Sequence, residues 1–162
     1  MGNGRVKAGM RKVSIGADHG GFGLKSVLIR RLKKEGYYGV DRGTFSRQPC
    51  DYPVFAARVA KDVSSGMVGQ GILLCKSGGG MAIAANKFPG VRAVVCQTAA
   101  SARHAREHND ANILVLGASG LSSERAVAIL REWLKTPFAG GRHARRIRQI
   151  SRIEHDTMKK RK

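Results

Sequence analysis

A glycine-rich turn in the middle of the chain carries a cysteine at its start. Residues 71–74 are typical of a short buried strand, and residues 81–87 have the alanine content and apolar spacing of a helix. Between them stand Cys75, Lys76, Ser77, Gly78, Gly79 and Gly80. Successive glycines leave backbone N–H groups uncovered, so the turn can bind an oxyanion or a phosphate and favours a thiolate. The alternative is an ordinary strand-to-helix turn with an inert buried cysteine.

Acid, base and hydroxyl side chains occur in two loops upstream of this turn. Asp18 and His19 follow a predicted first strand, and Tyr52 precedes a predicted helix. We expect them at the same edge of a sheet as Cys75, where open α/β sheets bind ligands. Taken singly, Asp18 is equally compatible with a helix cap, His19 with a surface histidine and Tyr52 with turn chemistry.

Two polar segments lie downstream of the turn. Residues 107–112 include His108 and Asn109 and precede the last predicted strand, and we expect them at the same edge as Cys75. Arg142 and Arg146 are spaced i, i+4, which places them on one helical face that can grip a phosphate. The alternatives are a surface histidine and a solvated basic helix.

The elements that must position these residues alternate regularly between strand and helix. Strands are predicted at residues 13–17, 37–41, 71–74, 91–95 and 113–116. Helices are predicted at residues 22–35, 54–65, 81–87, 101–107 and from 122 to about 137, with a further one carrying Arg142. This order predicts an α/β fold: a single Rossmann-like three-layer sandwich with a five-stranded parallel sheet and a C-terminal helix.

The length of 162 residues suits one domain with a substantial core. We divide the chain into a basic N-terminal extension (1–10), the domain (11–154) and a basic C-terminal tail (155–162). The three cysteines lack metal-ligand spacing, so we expect no metal site and a cytoplasmic protein. We interpret Cys50 as an exposed loop thiol and Cys96 as a packing residue. No apolar run reaches the roughly 20 residues needed to cross a bilayer, so no membrane role is expected.

The formal charge of +19, from 30 basic and 11 acidic residues, raises the possibility of a nucleic-acid partner. Much of it comes from the two ends: residues 142–162 alone carry nine basic residues and two acidic ones. We interpret residues 159–162 as a disordered tail and the internal charges as solvated helix faces. No RNA-binding signature or zinc-finger spacing is present, so nucleic acid is the alternative to an enzymatic function.

Five motifs in this order and spacing resemble one family, ribose-5-phosphate isomerase type B, within the broader group that includes the galactose-6-phosphate isomerase subunits. They are Gly-Ala-Asp-His-Gly-Gly-Phe (16–22), Asp-Tyr-Pro (51–53), Ile-Ala-Ala-Asn-Lys (83–87), Arg-Glu-His-Asn-Asp-Ala-Asn (106–112) and Gly-Gly-Arg-His (140–143). The resemblance runs from about residue 11 to about residue 154. It implies a cofactor-independent aldose–ketose isomerisation through an enediol, on ribose 5-phosphate and ribulose 5-phosphate.

The resemblance also implies roles for the residues of the turn. Cys75 would be the base that takes the proton from C2, and Ser77 would assist the proton movement between O1 and O2. The backbone of Gly78, Gly79 and Gly80 would belong to the hole for the enediolate. His108 with Asp18 would open the furanose ring.

The remaining roles concern substrate binding. Asn109 would bind sugar oxygens, Tyr52 would line the sugar pocket, and His19, Arg142 and Arg146 would hold the phosphate. In this family the site lies between two subunits, which implies a homodimer or a dimer of dimers.

Three positions depart from the family pattern. Lys76 stands where a glycine is usual, so it either crowds the pocket or brings a cation beside Cys75, and a positive φ there would be strained. Ala100 replaces a frequent tyrosine, and Ser119 replaces an arginine that contributes to phosphate binding. These departures leave open another sugar or sugar phosphate as substrate, or a weakly active member that acts as a basic polyanion-binding protein. A nucleotide-binding module is disfavoured, because no Gly-x-Gly-x-x-Gly follows the first strand.

Overall fold

The computed structural model describes residues 10–159, which form five strands and six helices. The strands are β1 (Arg11–Ala17), β2 (Tyr37–Asp41), β3 (Gln70–Cys75), β4 (Ala93–Val95) and β5 (Ile113–Gly117). The helices are α1 (Phe22–Lys34), α2 (Tyr52–Ser64), α3 (Gly79–Ala85), α4 (Ala99–Asn109), α5 (Ser123–Lys135) and α6 (Gly141–Lys159). The predicted extension up to residue 9 and the tail residues 160–162 lie outside the described residues.

The five strands are all parallel and follow the order β2-β1-β3-β5-β4. Ala17 at the end of β1 pairs with Leu74, and Cys75 at the end of β3 pairs with Gly117. The carboxyl ends of three neighbouring strands therefore meet around Cys75. This confirms the five-stranded parallel sheet.

The apolar run before the glycine turn is the central strand β3, buried on both faces. Ile72 and Leu74 pack into a core with α1, α4 and α5, whereas Leu73 and Cys75 pack into a core with α2 and α3. Burial on both faces explains why this strand is continuously apolar rather than alternating. The strand's period of two assigns the thiol to the α2 and α3 side.

Several element boundaries differ from the sequence prediction for local reasons. α2 begins at Tyr52 because Pro53 is tolerated in a first turn. α4 is longer than predicted, since Thr98 and Ser101 form a reciprocal capping box ahead of it. β4 is shorter, because the Arg92 N–H donates to the Asn112 side chain at 2.8 Å.

The outer edge of β4 is occupied by a side chain instead of another strand. Asn86 accepts from the Ala93 N–H at 2.8 Å and donates to the Ala93 carbonyl at 2.9 Å. A side-chain amide thereby replaces the two hydrogen bonds that a neighbouring strand would make.

α6 lies outside the sandwich and buries none of its residues. It continues past residue 154, the predicted end of the domain, to Lys159. The Gly90 N–H donates to the Glu154 carboxylate at 3.0 Å, and a groove of about 770 Å³ separates this helix from β4. Across residues 10–159, no helix combines the length and apolarity needed to cross a membrane.

Candidate active site

Cys75 ends β3 with its thiol directed into the glycine turn. The residue is 5% exposed, and the Gly78 N–H donates to its sulfur at 3.1 Å. Gly78 has a φ of +85°, in the left-handed region that favours glycine, and is the N-cap of α3. The first turn of a helix leaves amide N–H groups without intrahelical partners, so the turn directs donors toward the space beside the sulfur.

Tyr52 covers the α2 side of this turn. A Cβ atom on Gly80 would lie 2.5 Å from Cζ and 2.8 Å from the hydroxyl oxygen of Tyr52. With the ring in this position, only a glycine fits beneath it. Tyr52, which sequence reasoning could also assign to turn chemistry, therefore lies directly on the turn that carries the thiol.

Asp18 joins the loop after β1 to the same turn. It is 6% exposed, its N–H donates to the Leu74 carbonyl at 3.1 Å, and its carboxylate accepts from the Gly21 N–H at 3.0 Å. Between Asp18 and Lys76 lies Gly20: a Cβ there would lie 2.8 Å from Cγ of Lys76 and 3.3 Å from Oδ1 of Asp18. A buried carboxylate and a lysine stem thus flank one glycine beside Cys75.

His19 is oriented by Cys50, whose role sequence reasoning missed. The Cys50 N–H donates to Nδ1 of His19 at 3.2 Å, so in the neutral ring Nε2 carries the proton. Cys50 is half-buried, and the interpretation of an exposed loop thiol was wrong. The contact is made by a backbone amide in an irregular loop, and such a contact has no recognisable pattern in the sequence.

Lys76 and Ser77 line a cleft on the other side of the turn. Its volume is about 430 Å³, and Gln97, Ser119 and Arg125 are among the other residues that line it. The lysine backbone is held by the Ser119 N–H, which donates to the Lys76 carbonyl at 3.0 Å. Within residues 10–159, Asp110 alone among non-glycine residues has a positive φ, so Lys76 is accommodated without backbone strain.

His108 and Asn109 lie at the opposite edge of the sheet, and their predicted position beside Cys75 was wrong. They end α4, and the carbonyl of Asn109 accepts from Nε of Arg92, at the amino end of β4. Residues that precede a parallel strand lie at its amino end. That end of the sheet is four residues of β3, or about 13 Å, away from Cys75. One protomer does not bring His108 to the thiol.

Three histidines stack at this second edge. The His108 ring lies 4.3 Å from that of His143 in α6 and 5.3 Å from that of His104. The pKa of His143 is lowered, first by partial desolvation and then by the positive charges of His108, Arg142 and Arg146. Arg142 and Arg146, both exposed on the first turns of α6, thus share one electropositive region with the histidines.

Cys96 provides a contrast to Cys75. It is fully buried in the core on the α1, α4 and α5 side, as predicted for a packing residue, and burial raises the pKa of its thiol to about 11.

Residues 10–159 contain no group of three or more His, Cys, Asp or Glu side chains that could hold a metal ion.

Fold and site together define an α/β protein whose central parallel strand ends in a buried thiol that accepts a hydrogen bond from a backbone amide, in a turn that Asp18 and Tyr52 flank. Residues 13–150 match the family described as Ribose/Galactose Isomerase. The chain belongs to this family.

Named relatives and solved structures agree with this membership. The chain is 44% identical to ribose-5-phosphate isomerase B of Escherichia coli over 145 residues, which are 90% of this chain and 97% of that protein. It is 48% identical to the solved ribose-5-phosphate isomerase B of Clostridium thermocellum, with a TM-score of 0.88 over 90% of this chain and 99% of the other. The Mycoplasma genitalium enzyme, solved with bound ribulose-5-phosphate, is 37% identical, with a TM-score of 0.86 over 89% and 96% of the two chains.

Proposed function

We propose that this protein is a sugar-phosphate isomerase that interconverts ribose 5-phosphate and ribulose 5-phosphate through an enediolate, with Cys75 as the base. The observation that carries the proposal is the Gly78 N–H donating to the Cys75 sulfur at 3.1 Å, inside a turn flanked by Asp18 and Tyr52. An N–H donor stabilises a thiolate over a thiol, which a base requires. Relatives that bear this activity in their names support the same choice.

In the chemical step, the Cys75 thiolate takes the proton from C2 of the linear aldose. The electron pair of that C–H bond forms the C1=C2 double bond, and O1 becomes the enediolate oxygen. The thiol then returns the proton to C1 while O2 becomes the ketone. Ser77, exposed beside the thiol, carries the proton from O2 to O1.

The backbone of Gly78, Gly79 and Gly80 stabilises the charge on the oxygens. Because the negative charge develops only after proton removal, fixed N–H donors favour the transition state over the bound sugar. The α3 amides are fixed in this way, since Tyr52 packs on Gly80 and Ser119 holds Lys76 from the opposite side.

The complete site is formed by two protomers in this proposal. His108, which opens the furanose ring together with Asp18, lies at the amino edge of the sheet, whereas Cys75 lies at the carboxyl edge. The carboxyl edge of each protomer therefore meets the amino edge of its partner, in a homodimer or a dimer of dimers. Isologous pairing builds two identical sites per dimer.

Substrate binding divides in the same way. His19 and Tyr52 contribute from the thiol edge, while Asn109, Arg142 and Arg146 contribute from the histidine edge. Lys76 adds a cation in the cleft beside Ser77 and suits an anionic substrate. A cytoplasmic location belongs to the proposal, since a charged sugar phosphate does not cross a bilayer and is used where it is made.

The test is conversion of ribose 5-phosphate by purified protein in deuterated water. Wild type should produce ribulose 5-phosphate and acquire deuterium at the carbon that receives the proton, as exchange with a protein base requires. Cys75→Ala should lose about 10³-fold or more of the rate. Cys96→Ala, the same change at the buried packing cysteine, should keep it; activity retained without Cys75 would exclude this base.

A further inference from the structure

The C-terminal helix α6 carries a concentration of positive charge that is not neutralised within the structure. Six of its residues are cationic, and none of them forms an ion pair within residues 10–159: Arg142, Arg145, Arg146, Arg148, Arg152 and Lys159. Some cations elsewhere in the described residues are paired with carboxylates, as in Arg42 with Asp62, whereas α6 concentrates its unpaired cations on one element. The charge of α6 is thus available to a partner.

One side of α6 is directed toward the body of the protein. His143 stacks on His108, and the Glu154 carboxylate accepts from the Gly90 N–H. Ile150 and Ile153 line the groove against β4. These residues share one face of the helix at 100° per residue, so the helix has a defined inner side.

The opposite side of α6 is a cationic stripe. Arg145, Arg148, Arg152 and Lys159, which we call the outer stripe, fall within about 60° of arc and span about 21 Å along the axis. All four are exposed. Arg142 and Arg146, assigned to the substrate, lie outside this arc. Three of the stripe's four cations are arginines held in register by the helix.

We propose that the outer stripe binds the phosphate backbone of nucleic acid without reading bases. Arginine guanidinium groups present paired N–H donors that match phosphate oxygens, and a stripe of 21 Å spans several phosphates of a duplex. A formal charge of +19 supports approach to such a polyanion. An anionic membrane is disfavoured, because the exposed Ile150 and Ile153 lie on the side of α6 opposite the stripe, so a helix that buried them in lipid would direct the stripe away from the headgroups.

The experiment compares two variants that lose the same charge. Arg148→Gln/Arg152→Gln removes the centre of the outer stripe, and Lys33→Gln/Lys34→Gln removes two exposed lysines at the end of α1. Binding of the full-length protein to a fluorescent 20-base-pair duplex of arbitrary sequence is measured by anisotropy at several salt concentrations. Thermal melts and isomerase rates, both expected to match wild type, show that the variants are folded.

The stripe variant should bind about tenfold more weakly, and its slope of log affinity against log salt should fall by about 2, one unit per lost phosphate contact. The α1 variant should stay near wild type. Equal losses in both variants would reduce the effect to net charge and overturn the proposal. It would also be overturned by absence of duplex binding at 50 mM salt, or by a preference for phosphatidylserine vesicles that the stripe variant abolishes.

Discussion

The imidazole rings of His108 and His143 lie stacked, with centroids 4.3 Å apart and planes within 6° of each other. His108 belongs to the end of α4 and His143 to the start of α6. Their contact fixes the arginine-bearing turns of α6 to the edge of the sheet that is remote from Cys75. Within one protomer, the two groups of the proposed site therefore lie at opposite edges of the sheet, and we call them its half-sites.

Two inactive variants should therefore restore activity when combined. Cys75→Ala and His108→Ala damage different half-sites, so a mixed dimer contains one site with both residues intact and one with neither. Mixing the variants after dissociation and reassociation should return about a quarter of the wild-type rate, the statistical share of intact sites in a dimer.

Each variant reassociated with itself provides the control and should stay inactive. Absence of recovery in a mixture that demonstrably exchanges subunits would place the whole site within one chain.

A side chain at Gly80 should displace Tyr52, because the Tyr52 ring occupies the space. In Gly80→Ala the new Cβ would meet Cζ of Tyr52 at 2.5 Å, so the ring must leave the turn. We expect kcat/KM to fall about tenfold or more, since the sugar pocket and the turn both shift. Gly79→Ala is the matched control: the nearest atom to its Cβ is Oγ of Ser77 at 4.0 Å, and steady-state kinetics should change far less.

The substitution Gly78→Ala should lower both the stability and the activity of the protein. The φ of +85° at Gly78 strains an alanine, which should lower the free energy of unfolding by about 1–2 kcal/mol. Gly36, with a φ of +81° and open space around it, should show only the cost of the positive φ on change to alanine, whereas a Cβ on Gly78 would also lie 3.1 Å from Cγ1 of Val95. Urea unfolding would compare the two variants, and kcat should fall in Gly78→Ala alone, because only there does the N–H serve the Cys75 sulfur.

Lys76 should act on substrate binding. Its side chain lines the cleft beside Ser77, where its charge can attract an anionic substrate. Lys76→Met should raise KM for ribose 5-phosphate about tenfold and leave kcat within about threefold. Lys87→Met, an equal change at another exposed lysine, should leave both constants unaltered. A loss confined to kcat would instead place the lysine at the reacting atoms.

Stability should depend on pH through His143. Its pKa in the folded protein is lowered by desolvation and by neighbouring positive charge, so the unfolded chain binds a proton more readily. Stability is therefore lost as the pH falls from the unfolded value of about 6.5 toward the lower folded value. The Tm of wild type should drop more between pH 7 and pH 5 than that of His143→Gln. An equal pH dependence in the two would exclude His143 as the source; His155→Gln, on the exposed part of α6, serves as the control.

The sequence was sufficient for the sheet and for the position of Cys75. The run before the glycines is apolar on both faces, and a single central strand between two helical layers requires that pattern. The place of His108 was predicted wrongly, although topology contained the answer, because the segment before a parallel strand lies at the amino edge. The chemistry of a motif does not show to which end of a strand it belongs.

Other parts of the site depend on contacts between residues distant in sequence. Tyr52 and Gly80 meet across two helices, and Cys50 reaches His19 from an irregular loop. Such contacts follow from packing and leave no periodic trace. The backbone at Lys76 was equally undetermined, since only the folded turn shows that Gly78 takes the positive φ.

Asn86 affects whether copies of this chain can associate through the outer edge of β4. Its amide satisfies both main-chain groups of Ala93 on the outer edge of β4. An unsatisfied strand edge invites β-pairing with other molecules, the first step of edge-to-edge aggregation. By satisfying Ala93 with a side chain, the protein makes β-pairing of other copies at this point of the strand less favourable.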